Sequence, residues 1–424
     1  MTTRNFVPRA AGEGSLGTEA KPWGNVYTKK LFTPDGDING NIDARSSIIV
    51  ATSPAFYERS SLPTPAQTKM TIHPTWININ GDGCVSNADV TLDMNAASSW
   101  DSGTYATAGN RAGKDFYIYA AKPQSGNVPT FVLSANATCP TGYTAGNVRQ
   151  IGGFHCLCKS VDTISGHALS GYVTGDILPA SVWDLKWRAI ASNAGMVWCG
   201  TAWVDIYLAG WDGSKLVSQY GATIQDGYSP VPWHGEKFVE YFHKLGKRLI
   251  WRDEFVDFAK GSNEKTNIAG SADPGTTGGH VDTAGRRMIS NYGVEDCVGV
   301  QWQWCGDISM VPAKAGASNL VANDTNYYLG NYTWDPGNRV GNAEVDGDKT
   351  KYGNTWGVGP VRLLVGADWN GGSSCGSRSV SGDSLSAYRY DNIAGRGASD
   401  MGTYLYRLYP SSQNSSAEYR GLAG

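Results

Sequence analysis

A run of oxygen-bearing side chains near residue 80 has the spacing of a calcium-binding loop. Asn78, Asn80 and Asp82 alternate, Gly83 follows them, and Asp89 occupies the twelfth place. Such a loop needs flanking helices and usually ends in a bidentate Glu. The flanking sequences PTWINI and DVTLDM are strand-like instead. The pattern therefore favours a β-hairpin turn over a calcium site.

A second candidate for metal chemistry is the group His155-Cys156-x-Cys158, whose side chains are soft nitrogen and sulfur ligands. A tetrahedral site needs four ligands, and no second Cys or His pair stands at a suitable distance. Alternation along RQIGGFHCLCKSV places Phe154, Cys156 and Cys158 on one face of a strand. We therefore predict a packed strand here, and no metal or other cofactor.

Motifs for hydrolytic catalysis are absent from the sequence. It has no Gly-x-Ser-x-Gly elbow, no His-Glu-x-x-His and no phosphate-binding loop. Asp253, Glu254 and Asp257 cluster on a predicted helix, where carboxylates are ordinarily solvated surface groups. We predict no catalytic residues, and we expect that the protein is not an enzyme.

The segment 366–400, GADWNGGSSCGSRSVSGDSLSAYRYDNIAGRGASD, is the most informative part of the chain. Alternation along an extended chain places two groups of side chains on common faces: Asp368, Asn370, Gly372 and Ser374, and then Tyr388, Tyr390 and Asn392. Tyr, Ser, Gly and Asn also dominate antibody binding loops, where Tyr supplies rigid contact area and the small residues adapt. The composition favours a recognition surface, with a plain loop rich in turn-forming residues as the alternative.

Composition and charge exclude several classes of protein. The 424 residues include 35 Lys and Arg against 38 Asp and Glu, a net charge of -3, and no basic tract. We therefore expect no nucleic-acid partner. No apolar run approaches the roughly 18 residues of a membrane span. The start MTTRNFVPRAAGEG lacks the apolar core of a signal peptide, so we expect synthesis in the cytoplasm and no membrane insertion.

Glycine and tryptophan are abundant, whereas charged residues are few. The chain has 54 Gly and 15 Trp, and only 17% of its residues are charged, compared with roughly 25% in an ordinary domain. These values indicate short strands joined by many turns. The eight Cys are too sparse for a disulfide-based scaffold, and we interpret most of them as free, buried thiols.

The pattern along the chain predicts an α+β protein that is mostly β and loop. Residues 1–45 form a polar, Gly-rich arm that cannot bury a core of its own. Residues 46–165 carry short β-like runs typical of a sandwich-like domain. Residues 166–424 carry two amphipathic helices, then long loops interrupted by aromatic clusters.

The two helices follow from the spacing of their aromatic residues. GEKFVEYFHKLG places Phe238, Tyr241, Phe242 and Leu245 on one face, and WRDEFVDFAKG carries Trp251, Phe255 and Phe258 before a stop at Gly261.

From about 150 to 400 the chain resembles the phage major tropism determinant family, receptor-binding proteins diversified by a retroelement. The resemblance rests on the motifs RQIGGFHC, SVWDLKWR, AWVDIYLAG, HKLGKRLIWRDEF, SNYGVEDCVGVQWQWCGD and ADWNGGSSCGSR, with AGRG after them. It implies a C-terminal C-type-lectin-like domain at 166–424, preceded by β-rich domains and assembled as a homotrimer. SLGTEAKPWGNVYTKKLF is similar to a stretch near the start of many tail-fibre proteins, which implies that residues 1–45 attach the chain to other tail proteins of the particle or serve trimerisation.

The resemblance also implies a variable region at about 366–400. The positions that align with its diversified sites form the ligand-binding face: Asp368, Asn370, Gly371, Gly372, Ser374, Ser381, Asp383, Ser384, Tyr388, Tyr390, Asn392 and Ile393. Ile393 also fits a framework role. The framework positions are Trp369, Gly376, Arg378, Arg396 and Gly397, with Trp302 and Trp304 as core supports beneath the face.

The chain departs from the family and from two other groups with the same fold. Ala398-Ser399-Asp400 replaces a short Cys-Asp-His ending, and 24 further residues follow. Formylglycine-generating enzymes need a close pair of reactive Cys, but Cys375 is the only Cys after Cys305. Sugar-binding lectins hold calcium with tripeptides such as Glu-Pro-Asn, which this chain lacks.

These features predict a phage or prophage tail-fibre adhesin in the virion. It would determine host tropism by binding a cell-surface receptor, protein or glycan, through the variable face. Two alternatives remain: a tail enzyme that degrades polysaccharide, with paired carboxylates in a groove, and a purely structural tail component, with 368–392 buried between subunits.

Overall fold

The computed structural model describes four stretches of the chain: 68–310 apart from residue 186, 332–333, 354–355, and 360–402 apart from residues 383 and 385. The predicted arm 1–45, the extension from 403 to 424 and the predicted site residue Asp383 lie outside the described residues. In the described part, strands and loops predominate and the helices are short. No helix there is long and apolar enough to cross a membrane.

The first part of the described chain is built from antiparallel strands. They are β1 (Lys69–Ile72), β2 (Thr75–Ile79), β3 (Asp82–Ser86), β4 (Val90–Asp93), β5 (Asp115–Ala121), β6 (Thr130–Ser134), β7 (Val148–His155) and β8 (Trp183–Asp184). β1 pairs with β4, β2 pairs with β3, and the other four form a sheet in the order β6-β5-β7-β8. A one-turn helix, α1 (Ala108–Arg111), precedes β5.

β2 and β3 form the hairpin that the sequence predicts in place of a calcium loop. Ile79 pairs with Asp82 across a turn of Asn80 and Gly81, both of which have positive φ. This backbone is typical of tight hairpins, where Asn-Gly is the preferred pair. The Asn78 side chain accepts a hydrogen bond from the Gly81 amide at 2.9 Å, so it stabilises the turn.

One apolar core joins these strands in a sandwich-like arrangement. Ile77 and Ile79 of β2 pack in the same cluster as Phe116 and Ile118 of β5. Phe154 and Cys156 are buried in it as predicted. The strand ends at His155, however, and Cys158 lies beyond it in a different cluster. Alternation thus overestimated the length of this strand.

The second part contains the remaining strands and two longer helices. The strands are β9 (Met196–Trp198), β10 (Trp203–Asp205), β11 (Gly210–Trp211), β12 (Leu216–Val217), β13 (Thr223–Ile224), β14 (Arg248–Leu249), β15 (Trp302–Met310), β16 (Tyr332–Thr333), β17 (Asn354–Thr355), β18 (Pro360–Val365), β19 (Val380–Ser381), β20 (Ile393–Gly395) and β21 (Gly397–Ser399). The helices are α2 (Gly235–Lys244) and α3 (Arg252–Phe258).

Two four-stranded sheets of this part determine the position of the predicted variable region. One has the order β19-β18-β15-β20 and the other β14-β21-β10-β9. Within the first, β20 runs parallel to β15 and the other neighbours are antiparallel. The smaller sheets are β12-β11-β13 and the pair β16-β17.

Both predicted helices are present. Phe238 and Phe242 of α2 are buried, as the aromatic spacing requires. Phe255 and Phe258 of α3 are buried too, whereas Trp251 is the residue before the helix and is 43% exposed. The helix thus begins one residue after Trp251, which is extended and so does not follow the helical period of Phe255 and Phe258.

All eight cysteines are free, and all but the half-buried Cys139 are buried. Burial raises the pKa of Cys297 to about 11 and that of Cys156 further still. These thiols therefore stay protonated at neutral pH, in agreement with the predicted role as small core residues.

Candidate ligand-binding face

The segment 366–400 starts and ends in the two four-stranded sheets. It follows β18 and runs through a single 3₁₀ turn, Gly372–Ser374, into β19. It returns as β20, where Ile393 pairs with Trp302, and continues as β21, which lies between β10 and β14. The part between the sheets is mostly turn and loop. Both ends are thus held by regular structure.

Arg396 links β20 to three distant parts of the core and has no exposed surface. Its guanidinium donates to the Gln303 side chain at 2.7 Å and to the carbonyls of Asp205 and Ile206 at 2.9 and 2.8 Å. It also donates to the carbonyls of Glu295 and Asp296 at 2.8 and 3.3 Å. Every donor nitrogen therefore has an acceptor, the condition under which a buried charge is tolerated.

Side chains from outside the segment hold its loop in place. The Glu264 carboxylate accepts hydrogen bonds from the amide and the hydroxyl of Ser377. The Asn267 side chain donates to the carbonyl of Trp369. Gly376 is buried against Glu264, since an added Cβ would lie 2.7 Å from a Glu264 carboxylate oxygen. The loop conformation thus depends on residues about a hundred positions earlier.

The side chain of Asp368 is buried and does not belong to an exposed face. It is 7% exposed, and its carboxylate accepts a hydrogen bond from the Asn392 side chain at 2.5 Å and from the Asn370 amide at 3.3 Å. Its carbonyl accepts from Gly371 at 3.1 Å. The extended alternation predicted for 368–374 is therefore wrong, because Asp368 forms local hydrogen bonds that fold the chain into a turn.

Ile393 is also buried, at 3% exposure. It packs in one cluster with Phe238, Trp304 and Leu364. Its assignment to the exposed ligand-binding face was therefore wrong. Its contacts support the framework role that the sequence also allowed. The reason is its place in β20, an edge strand that pairs with β15 and whose Ile393 packs against Phe238 of α2.

The other predicted face residues are reached by solvent to different degrees. Those that the structure describes as exposed are Asn370, Ser374, Tyr388 and Tyr390, and those half-buried are Gly371, Gly372, Ser381, Ser384 and Asn392. The rings of Tyr388 and Tyr390 lie 5.8 Å apart and perpendicular to each other. This edge-to-face pair is a rigid aromatic contact surface.

The predicted framework residues are mostly enclosed. Trp304, Gly376, Arg396 and Gly397 are buried, and Trp302 and Trp369 are half-buried against apolar clusters. Arg378 is exposed instead. No core contact accounts for Arg378 as a framework position.

Several residues that shape the face carried no recognisable motif. Arg362 of β18 donates two hydrogen bonds of 2.9 Å to Glu236 at the start of α2. The hydrogen bonds from Arg362 lower the pKa of Glu236, and their effect is larger than that of burial, which raises it. Glu264 and Asn267 lie in a loop without periodicity. Only the long-range pairing reveals their role, and no local sequence signal could have done so.

The side chains of this face bear hydroxyl, amide and phenol groups. The thiol of Cys375 is buried, and burial raises its pKa to about 11, so it is a poor nucleophile. In the described stretches, no group of three or more His, Cys, Asp and Glu side chains is arranged to hold a metal ion. What the face offers is hydroxyl and amide hydrogen bonding beside two tyrosine rings.

Comparison with known proteins agrees with this geometry. A family model described as the Mtd second domain matches residues 63–184. The tail fiber receptor-binding protein of Bordetella phage BPP-1 is 28% identical over 351 residues, which cover 77% of this chain and 78% of that protein. Solved structures of the U1, P3c and M1 variants of the major tropism determinant match with a TM-score of 0.58 and 26% identity, over 83% of this chain and 87% of theirs. This chain is similar to the major tropism determinants over most of its length.

The relationship confirms the predicted fold class. The described residues are mostly β and loop, and the chain shares the C-type-lectin-like architecture of the major tropism determinants. The match to their second domain extends to 184, and the sheet of β5, β6 and β7 takes its last strand from Trp183–Asp184. The division at residue 165 remains a prediction.

Proposed function

We propose that this chain is a phage tail-fibre receptor-binding protein that selects the host cell through the face formed by 366–400. One combination of observations supports this most. Asn370, Ser374, Tyr388 and Tyr390 are exposed on a segment whose two ends lie in sheets. The chain that carries this segment is similar to a tail-fibre receptor-binding protein. Recognition, and not catalysis, is the activity that such a set of side chains performs.

The mechanism is a division between a stiff framework and replaceable side chains. Substitutions at exposed positions usually change stability by within about 0.5 kcal/mol, whereas changes in a packed core cost several times more. Buried Trp304 and Arg396 would hold the backbone while Ser374 or Tyr388 changes. Diversification by a retroelement would exploit this tolerance.

The assembly that we propose is a homotrimer in the virion. The N-terminal segment 1–45 would attach it to other tail proteins, and the faces of three chains would bind receptors on one cell. Simultaneous engagement raises the effective concentration of each further contact. Modest affinity of a single face is then sufficient for firm attachment.

Substitution of the tyrosine pair tests the proposed face. We expect Tyr388→Ala and Tyr390→Ala each to weaken binding of the purified chain to cells of a susceptible strain by about 10-fold, as loss of a central aromatic contact does. Cell binding of the fluorescently labelled full chain measures the loss, and thermal unfolding should stay unchanged because both rings are exposed.

Tyr143→Ala is the matched control, since Tyr143 is 39% exposed in the β-rich part, close to the 40% of Tyr388. The control should bind like the original chain. If both tyrosine variants lose binding and unfolding temperature together, the rings belong to the core and the proposed face is wrong.

A further inference from the structure

A second segment lies directly against the tyrosine pair, although it is outside 366–400. The Gly227 amide donates to the carbonyl of Tyr390 at 3.0 Å, and the Gly235 amide donates to that of Ser386 at 2.9 Å. Residues 227–235 therefore run beside 386–390 in the opposite direction. We call 226–235 the flanking loop.

The two backbones approach each other closely at Gly227. A Cβ at this position would lie 2.2 Å from the amide nitrogen of Tyr390 and 2.4 Å from its carbonyl oxygen. Only glycine permits such an approach. The next residue, Tyr228, is consequently a neighbour of Tyr390 at the surface.

The flanking loop is held rigidly at both ends. The Asp226 carboxylate accepts hydrogen bonds of 2.5 Å from the amides of Tyr228 and Ser229. The Gln225 side chain donates to the carbonyl of Val231 at 2.5 Å. Trp233 is 2% exposed, and its ring lies 4.4 Å from that of Tyr241. A loop held in this way loses little conformational entropy on binding.

Apolar side chains of the flanking loop face solvent beside those of the proposed face. Tyr228 is 57% exposed and Val231 41%, values similar to the 40% and 44% of Tyr388 and Tyr390. Contiguous exposed apolar groups mark interaction sites. Exposure of this degree also occurs elsewhere, as Val173 at 49% shows, and it is the backbone hydrogen bond between Gly227 and Tyr390 that places the flanking loop at the proposed face.

We propose that Tyr228 and Val231 form a constant, apolar part of the receptor-binding surface and pack against an apolar protein surface of the receptor. This inference rests on the function proposed above. The Val231 side chain has no group that hydrogen-bonds sugar hydroxyls, and tyrosine is enriched at protein–protein interfaces. Because the flanking loop lies outside the variable region, its contribution to affinity is retained when that region is rewritten.

Truncation of each side chain tests the inference. We expect Tyr228→Ala to weaken binding of the labelled full chain to a strain that binds the original chain by about 10-fold, and Val231→Ala by about 3-fold. Tyr228→Phe keeps the ring and should bind within about 2-fold of the original. Tyr143→Ala and Val173→Ala are matched controls at exposed sites of the β-rich part and of the 160–175 loop, and both should bind normally.

The outcomes separate this inference from the proposed function. Normal binding by Tyr228→Ala and Val231→Ala, with loss in Tyr388→Ala and Tyr390→Ala, overturns the inference and leaves the proposed face standing. Normal binding by all four variants overturns the proposed face itself. Protease treatment of the cells should abolish binding and periodate treatment should not, and the reverse result contradicts a protein partner.

Discussion

Arg396 is a single residue on which the predicted variable region depends. Its guanidinium is fully buried and donates to one side chain and four backbone carbonyls. Arg396→Met would remove these hydrogen bonds. The Ile206 carbonyl keeps the Glu295 amide as a donor, but a buried acceptor that is left unsatisfied costs about 1–3 kcal/mol. We expect the free energy of unfolding to fall by that amount in urea denaturation.

Arg378→Met provides the comparison, because Arg378 belongs to the same segment but is exposed. It should change stability by less than about 0.5 kcal/mol. Equal effects of the two substitutions would mean that the buried hydrogen bonds of Arg396 contribute nothing beyond the loss of a positive charge.

Single residues also show where sequence reasoning succeeds and where it fails. The resemblance to the family identified Arg396 as framework, but its acceptors lie 93 to 191 positions away, beyond the reach of any local pattern. Asp368 was placed on an exposed face by alternation, yet it is buried. The carboxylate of an Asp can accept hydrogen bonds from nearby backbone amides. A prediction based on the alternation of side chains along a strand does not take these local hydrogen bonds into account.

Asp226 makes a contribution to the stability of the flanking loop that depends on pH. Burial, and then the negative charges of Asp273 and Asp391, raise the pKa of Asp226 to about 6 against the opposing effect of its backbone hydrogen bonds. The folded state therefore binds the proton more tightly than the unfolded state, whose pKa is near 3.8. This contribution to stability is present below about pH 4 and is lost as the pH rises through 6.

Asp226→Asn isolates this effect, since the amide keeps a carbonyl oxygen for the two amide donors and cannot ionise. Relative to the original chain, the variant should gain unfolding free energy between pH 4 and pH 8. Urea denaturation at both values measures the difference. A difference that is constant with pH would show that Asp226 has an ordinary pKa in the folded protein.

The helices were predictable because one physical period governs them. Burial of Phe238 and Phe242 follows from a spacing of four on one helix face. The loop between Asp368 and Asn392 has no comparable period. Its conformation depends on Glu264 and Asn267, which contact it from about a hundred positions earlier in the chain.

At the scale of the whole molecule, the proposed trimer predicts that binding depends on the number of intact faces. Coexpression of the original chain with the Tyr388→Ala variant would give mixed trimers. Because linked contacts multiply through effective concentration, we expect cell binding to fall more steeply than the fraction of original chains. Sedimentation should give the mass of three chains for each mixture.

A fall in linear proportion to the fraction of original chains would contradict cooperation among faces, and a sedimentation mass of one chain would contradict the trimer. The Tyr143→Ala chain, mixed in the same ratios, should leave binding constant because Tyr143 lies outside the proposed face.

The hydrogen bond between Asp368 and Asn392 limits how many versions of this surface can exist. Both are positions that the family resemblance makes replaceable, yet the carboxylate of one satisfies the amide of the other in a largely enclosed site. A change at one leaves a partner unpaired unless the other changes as well. The number of workable residue combinations is therefore smaller than the product of the residue types allowed at each position. In the sequences of related chains, we expect the residues at these two positions to covary.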